Sequence, residues 1–172
     1  MNMNPETPVL FDAHSESYEP RSYAIERAAK RNPRVIYETY DGDRLPFVDG
    51  SFDAAVTICA MHHVDPPQRP RFVAELRRVI KPGGIAVVFE HNPLNFLTRR
   101  AVSNCVFDKS VSLLPYEETE TLMRNQGFDV HPSQFILLVP AFTNPLRRID
   151  RLFSRLRLGA QYFTCGIARV AG

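Results

Sequence analysis

The sequence predicts an α/β domain in which helices flank a mostly parallel sheet. Two apolar runs, Phe52–Ile58 and 85–89, are continuous, as in strands that are buried on both faces of a sheet. Between them, residues 68–81 repeat apolar side chains at the three-to-four spacing of an amphipathic helix, with Arg69 and the other charged residues expected on the opposite side. A strand, a helix and a second strand in this order form a parallel pair.

The N-terminal part of the chain repeats this arrangement. Residues 1–7 are polar and we expect them to be disordered, whereas residues 8–12 predict a short buried strand. A helix is expected to begin near Pro20, because proline is favoured in the first helical turn, and to end before Asn32-Pro33. Residues 35–40 are rich in β-branched and aromatic side chains and predict the next strand.

The C-terminal third of the sequence has a different pattern of predicted elements. Lys81-Pro82-Gly83-Gly84 ends the central helix, because proline cannot continue it and glycine accepts the turn that follows. We expect an irregular stretch over 92–114 and a helix over 116–126. Strands at 135–139 and 161–170 are expected to form an antiparallel pair.

An apolar stripe alternates with arginines over residues 146–157 and predicts a basic helix laid over the core. The alternative for this basic helix is weak peripheral contact with an anionic lipid surface.

The amino-acid composition limits the classes of function that the protein can have. A chain of 172 residues with 44% hydrophobic content fits one domain, and a net charge of +2 does not indicate a nucleic-acid partner. The cysteines Cys59, Cys105 and Cys165 contain no CxxC pair, so neither a disulfide framework nor a metal cluster is predicted. The N-terminus has no signal-peptide pattern, and the expected location is cytoplasmic.

Polar residues follow the predicted strands at positions where open α/β sheets bind ligands. Asp41-Gly42 comes after the strand at 35–40, although this dipeptide is by itself an ordinary turn signal. His62 and His63 follow Phe52–Ile58, and His91 follows 85–89. An imidazole there can deprotonate or orient an acceptor hydroxyl, and the alternative for each histidine is a structural hydrogen bond.

Several motifs in a fixed order resemble one family of enzymes. They are Asp41-Gly42-Asp43-Arg44-Leu45-Pro46-Phe47, Gly50-Ser51-Phe52-Asp53, Met61-His62-His63 and Arg78-Val79-Ile80-Lys81-Pro82-Gly83-Gly84. Together they resemble the second half of a class I S-adenosylmethionine-dependent methyltransferase of the type 11 small-molecule group. The segments Glu90-His91-Asn92-Pro93 and Leu158-Gly159-Ala160-Gln161-Tyr162 resemble one subgroup of it. The resemblance implies a Rossmann-like fold and S-adenosyl-L-methionine as cofactor.

The resemblance also assigns cofactor contacts by position. Asp41 would reach the adenine amino group and Gly42 would face the ring, while Cys59 and Ala60 would line the adenosine pocket. The acid that holds the ribose has two candidates: Glu19, preferred by its distance from the end of the helix, and Asp12, which follows the apolar run 9–11.

The family's first motif, a strand that leads into a glycine-rich turn, has no counterpart, because the first glycine of the sequence is Gly42. The strand at 8–12 is too close to Glu19 for a parallel crossover. We therefore expect a single domain over 1–172 that lacks the first strand and helix. A second copy could complete the sheet, the remaining strands could close up, or the gene product could be truncated or mis-started, which we prefer.

Three classes of function follow. The leading one is methyl transfer to a small-molecule, lipid or sugar acceptor, impaired by the missing motif. The second is a non-catalytic fragment or partner subunit. A dinucleotide-dependent oxidoreductase is disfavoured, because neither G-x-G-x-x-G nor Tyr-x-x-x-Lys occurs in a suitable place.

Overall fold

The computed structural model describes residues 9–12, 21–40, 42–105, 108, 111–137 and 154–170. The chain divides into two compact units, residues 1–47 and residues 48–172, which are described separately below. The expectation that they belong to one domain stays a prediction.

The first unit contains the predicted strand, helix and strand. β1 spans Val9–Asp12, α1 spans Arg21–Arg31 and β2 spans Tyr37–Tyr40. The two strands pair in parallel from Val9 opposite Tyr37 to Asp12 opposite Tyr40. This part of the sequence therefore forms the βαβ unit that its pattern predicts.

The second unit contains a mixed five-stranded sheet with helices. Its order is β3-β4-β7-β5, with β6 also paired to β7. β3 and β4 are parallel, and β7 is antiparallel to β4, β5 and β6. The elements are β3 (Phe52–Ile58), two short 3-10 turns (Met61–His63 and Pro66–Gln68), α2 (Arg69–Val79), β4 (Ile80–His91), α3 (Phe96–Asn104), α4 (Tyr116–Asn125), β5 (Phe128–Val130), β6 (Gln134–Ile136) and β7 (Gln161–Ala168).

The structure corrects several sequence expectations for this unit. The stretch expected to be irregular contains α3, whose N-terminus is capped because the Asn95 side chain accepts a hydrogen bond from the Thr98 N–H at 3.0 Å. The basic helix expected over 146–157 does not extend to its end, since residues 154–157 form turns. Residues 138–153 lie outside the described part of the chain.

The core lies on one face of this sheet. α2 contacts β4, and α4 contacts β7. The side chains at this face include Val73, Val88, Met123 and Tyr162, each at most 1% exposed. Burial of these side chains against two helices is the main stabilising contribution in this unit.

The other face of the sheet is apolar and open. Val56 and Ile58 of β3 are 56% and 68% exposed, and Ile85 and Ile167 on the neighbouring strands are also exposed. Among the described residues β3 pairs only with β4. The predicted loss of the first strand would leave such an edge, and an oligomer that completes the sheet stays a prediction.

In the described part of the chain, no helix has both the length and the apolar character needed to span a bilayer.

Replacing Tyr162 by Phe is expected to lower the free energy of unfolding by about 1–3 kcal/mol. The buried Tyr162 hydroxyl donates to the Leu114 carbonyl at 3.1 Å and shares a 2.7 Å hydrogen bond with the Thr119 hydroxyl. The substitution leaves both buried partners without that bond. Urea unfolding followed by circular dichroism measures the change, and the half-buried Tyr116→Phe is the control. Equal effects of the two substitutions would contradict the assignment.

Candidate active site

The candidate site is organised by Glu90, a fully buried carboxylate near the end of β4. One carboxylate oxygen accepts the backbone N–H of Met61 at 2.7 Å, and the other lies 2.6 Å from His62 Nδ1. Met61 and His62 belong to the 3-10 turn after β3. Because β3 and β4 are parallel, their carboxyl ends meet at one edge, and Glu90 joins the two.

The chain changes direction at Cys59, between the end of β3 and the 3-10 turn Met61–His63. The Cys59 φ of +49° lies in the left-handed region, which is uncommon for residues other than glycine and is often found at functional sites. The Cys59 N–H donates to the Phe89 carbonyl at 2.9 Å, and its sulfur accepts from the Gln161 side chain at 3.4 Å. Burial, with smaller contributions from the Glu90 and Asp108 carboxylates, raises the pKa of Cys59 to about 11.

All three predicted histidines come together beside Glu90. The His62 ring centroid lies 4.3 Å from that of His63 and 5.1 Å from that of His91. His62 is buried, and the other two are partly exposed. The pKa of His91 is lowered chiefly by burial and secondly by His62, which favours the neutral imidazole at neutral pH.

Sequence reasoning missed Asp108, which completes this cluster. An Asp108 carboxylate oxygen lies 3.5 Å from His63 Nε2 and 3.8 Å from His62 Nε2. The Asp108 N–H donates to the Cys105 carbonyl at 3.3 Å, just beyond α3. The position of Asp108 depends on α3, a helix in a stretch that the sequence predicts to be irregular.

Arg69 was expected on the solvent side of its helix, but it is 2% exposed. Its guanidinium donates to the Val64 carbonyl at 3.1 Å, to the Ser112 carbonyl at 2.5 Å and to the Glu118 carboxylate at 2.7 Å. The Ser112 N–H in turn donates to the His62 carbonyl at 3.2 Å. Arg69 therefore holds together the three segments that surround His62.

The two C-terminal motifs noted in the sequence also meet. The Asn92 side chain donates to the Gly159 carbonyl at 2.7 Å and to the Arg157 carbonyl at 3.0 Å. The Thr98 hydroxyl donates to the Ala160 carbonyl at 2.9 Å. These bonds join the segment after His91 to the start of β7.

The predicted cofactor residues divide between the two units. Cys59 and Ala60 follow β3 in the second unit, as expected. Gly42, in the first unit, has a φ of +93°, and its carbonyl accepts from the Tyr40 hydroxyl at 2.8 Å. Glu19 and Asp41 lie outside the described residues, so their roles stay predictions. The strand before α1 ends at Asp12, the alternative ribose acid.

Comparison with known proteins links the chain to methyltransferases. Residues 11–84 match the family model of a methyltransferase domain. A crystal structure of an S-adenosylmethionine-dependent methyltransferase from Thermotoga maritima, described as a possible histamine N-methyltransferase, superposes with a TM-score of 0.66. It is 26% identical, and the match covers 95% of this chain and 73% of that one. These matches support a class I S-adenosylmethionine-dependent methyltransferase.

Curated relatives place this methyltransferase chain among longer proteins. An uncharacterized methyltransferase of Synechocystis is 39% identical over 75 residues, which are 43% of this chain and 35% of the relative. Sterol methyltransferase-like 1 of Botryococcus braunii is 28% identical over 135 residues, 71% of this chain and 34% of the relative. The chain thus spans about a third of the length of these relatives. S-adenosyl-L-methionine is the cofactor of this family.

Replacing Arg69 by Lys is expected to lower the free energy of unfolding of the protein by about 2–4 kcal/mol. A lysine ammonium group cannot reproduce the three hydrogen bonds that the planar guanidinium group makes. Urea unfolding measures the loss. Arg71→Lys, an exposed arginine on the same helix, is the matched control and should change stability by less than about 0.5 kcal/mol. Indistinguishable midpoints for the two variants would show that Arg69 does not hold these segments.

Alkylation of Cys59 by iodoacetamide is expected to be about a hundredfold slower at pH 8 in the folded protein than in urea, because a thiol of pKa about 11 is almost fully protonated there. The rate should keep rising up to about pH 11. Peptide mass spectrometry separates Cys59 from the other two cysteines. A rate that levels off near pH 9 would disprove the raised pKa.

Proposed function

We propose that the protein transfers a methyl group from S-adenosyl-L-methionine to an oxygen of a small-molecule acceptor at the cluster of His62, His63, His91 and Asp108. The observation that carries the proposal is the buried Glu90–His62 pair at the carboxyl ends of two parallel strands. Ligands of open α/β sheets bind at this edge. The family assignment supplies the reaction class.

The cofactor, when bound, supplies an electrophilic methyl group, and the protein's task is to hold the acceptor in line with it. A hydroxyl acceptor reacts faster if its proton is removed as the new bond forms. Glu90 fixes His62 by its Nδ1, so the Nε2 atom points toward the side where His63 and Asp108 lie. Either that nitrogen or a nitrogen of the neighbouring His91 can take the acceptor proton.

Cys59 and Ala60, which follow β3, suit the adenosine half of the cofactor. Cys59 carries an uncharged thiol at neutral pH, and Ala60 carries only a methyl group, so both offer an apolar wall to an adenine ring. Asp41 and Gly42 are assigned to the same half by the family resemblance. No residue of this chain is assigned to the methionine half, and the expected lack of a glycine-rich turn stays a prediction.

For the ribose hydroxyls we now favour Asp12 over Glu19. The support is that Asp12 is the last residue of β1, and a carboxylate at a strand end can accept a hydrogen bond from each of the two hydroxyls. Asp12→Asn is expected to weaken binding of S-adenosylhomocysteine by at least about tenfold, the loss of one charged hydrogen bond. Glu19→Gln is the matched control. Calorimetric titration of both variants decides between them, and a larger effect at Glu19 would restore the first assignment.

The acceptor class is supported by relatives whose names include a sterol methyltransferase-like protein and a hydroquinone methyltransferase. In this chain, Leu94, Phe96 and Leu97 follow His91 in sequence and are exposed, and the exposed Arg99 and Arg100 come next. Exposed apolar residues beside arginines suit an acceptor with a lipid portion, at or near an anionic membrane surface. The basic segment 146–157 would add to this contact.

The activity test uses the chain with labelled S-adenosyl-L-methionine and a panel of hydroxylated lipids, quinols and sugars. His91→Gln and Asp108→Asn are expected to lower kcat by about 10²–10⁴ while S-adenosylhomocysteine binding is retained. His131→Gln, an exposed histidine far along the sequence, is the control.

Millimolar or absent binding of S-adenosylhomocysteine would reject the proposal. It would favour the second hypothesis, a non-catalytic fragment or partner subunit.

A further inference from the structure

The residues beside Glu90 also form a group with the composition of a metal site. His62, His63 and Asp108 each offer one ligand atom, and these atoms lie within 4.8 Å of one another. Two imidazole nitrogens and one carboxylate oxygen are a ligand set that divalent first-row transition metals favour. The sequence did not predict it, because Asp108 lies 45 residues beyond His63 (108 minus 63).

The two separations that involve Asp108 suit ligands of one ion better than hydrogen-bonded partners, and the third lies within 4.8 Å. The Asp108 oxygen is 3.5 Å from His63 Nε2 and 3.8 Å from His62 Nε2. An N–H···O hydrogen bond is about 2.7–3.2 Å long. Two ligands of one tetrahedral ion lie about 3.3 Å apart, given metal–ligand distances of about 2.0–2.2 Å.

Glu90 supplies a second, independent observation. Its carboxylate is fully buried and lies 2.6 Å from His62 Nδ1, the ring nitrogen that does not face Asp108. A metal-ligating histidine almost always donates its other ring N–H to a carboxylate or carbonyl, which fixes the tautomer and leaves a lone pair for the metal. Here that arrangement is present without any side-chain movement.

The arrangement leaves room for a further ligand. The side chains of His63 and Asp108 are 31% and 14% exposed, so the cluster is open on one side. Three protein ligands with an open position are characteristic of catalytic rather than structural metal sites. The bound ion would accept a water molecule or an acceptor oxygen at that position.

We propose that His62, His63 and Asp108 bind a divalent first-row transition metal ion of the zinc and iron class. Glu90 orients the His62 ring through its contact with Nδ1. Binding of the ion would occupy His62 Nε2 and leave the acceptor proton to His91. It extends the proposed active site but does not depend on methyl transfer. The test therefore uses the metal alone, without cofactor or acceptor.

The experiment titrates Co²⁺ into the full chain after removal of metals with a chelator. We expect one ion per chain with visible d–d absorption, displaced by Zn²⁺, and no near-ultraviolet thiolate-to-cobalt band. His63→Gln and Asp108→Asn are expected to weaken binding at least about tenfold each, the loss of one ligand. His131→Gln is the matched control and should bind as the wild type does.

Circular dichroism and a thermal melt establish that each variant is folded. His63→Gln is the decisive variant because its side chain is the most exposed of the three ligands. Absent binding by the wild type, or equal affinity of wild type, His63→Gln and Asp108→Asn, would overturn the metal assignment. A thiolate band would do so as well, because it would place the ion at a cysteine.

Discussion

The buried carboxylate of Glu90 is the constraint on which the geometry of the site depends. A charge removed from water is costly unless its oxygens are bonded. Here both are occupied, one by the Met61 N–H and one by the His62 ring. The same two bonds fix the turn after β3 and the rotation of His62. The distances to His63, His91 and Asp108 are therefore consequences of where Glu90 holds that ring.

A second network keeps the surroundings of His62 in place, and most of its bonds end on backbone carbonyls. Arg69 reaches the Val64 and Ser112 carbonyls, and Asn92 reaches the Gly159 carbonyl. Each bond joins an element to a loop that would otherwise be free to move. The histidine cluster is consequently supported by segments that are far apart in sequence, which is the arrangement a preorganised site requires.

The sequence predicted every described strand except β5, the helices α1, α2 and α4, and the positions of the three histidines, because these follow from local patterns and from their position after strand ends. It did not predict the burial of Arg69 or the placement of Asp108. A helical pattern puts an arginine on the polar side, and only the tertiary contacts of α4 and residue 112 enclose it. Asp108 follows α3, which was missed because its apolar residues are largely exposed and carry a weak periodic signal.

The one-sided pairing of β3 has a consequence for how the protein behaves in solution. Strand amides that lack a ladder partner exchange with solvent hydrogen quickly, so β3, which among the described residues pairs on one side only, is expected to lose isotopic protection before the doubly paired β4. It also carries Val56 and Ile58 on an open apolar face. Such an edge can template strand addition between molecules. Colloidal stability, more than the free energy of unfolding, is then expected to limit the concentration at which the protein can be handled.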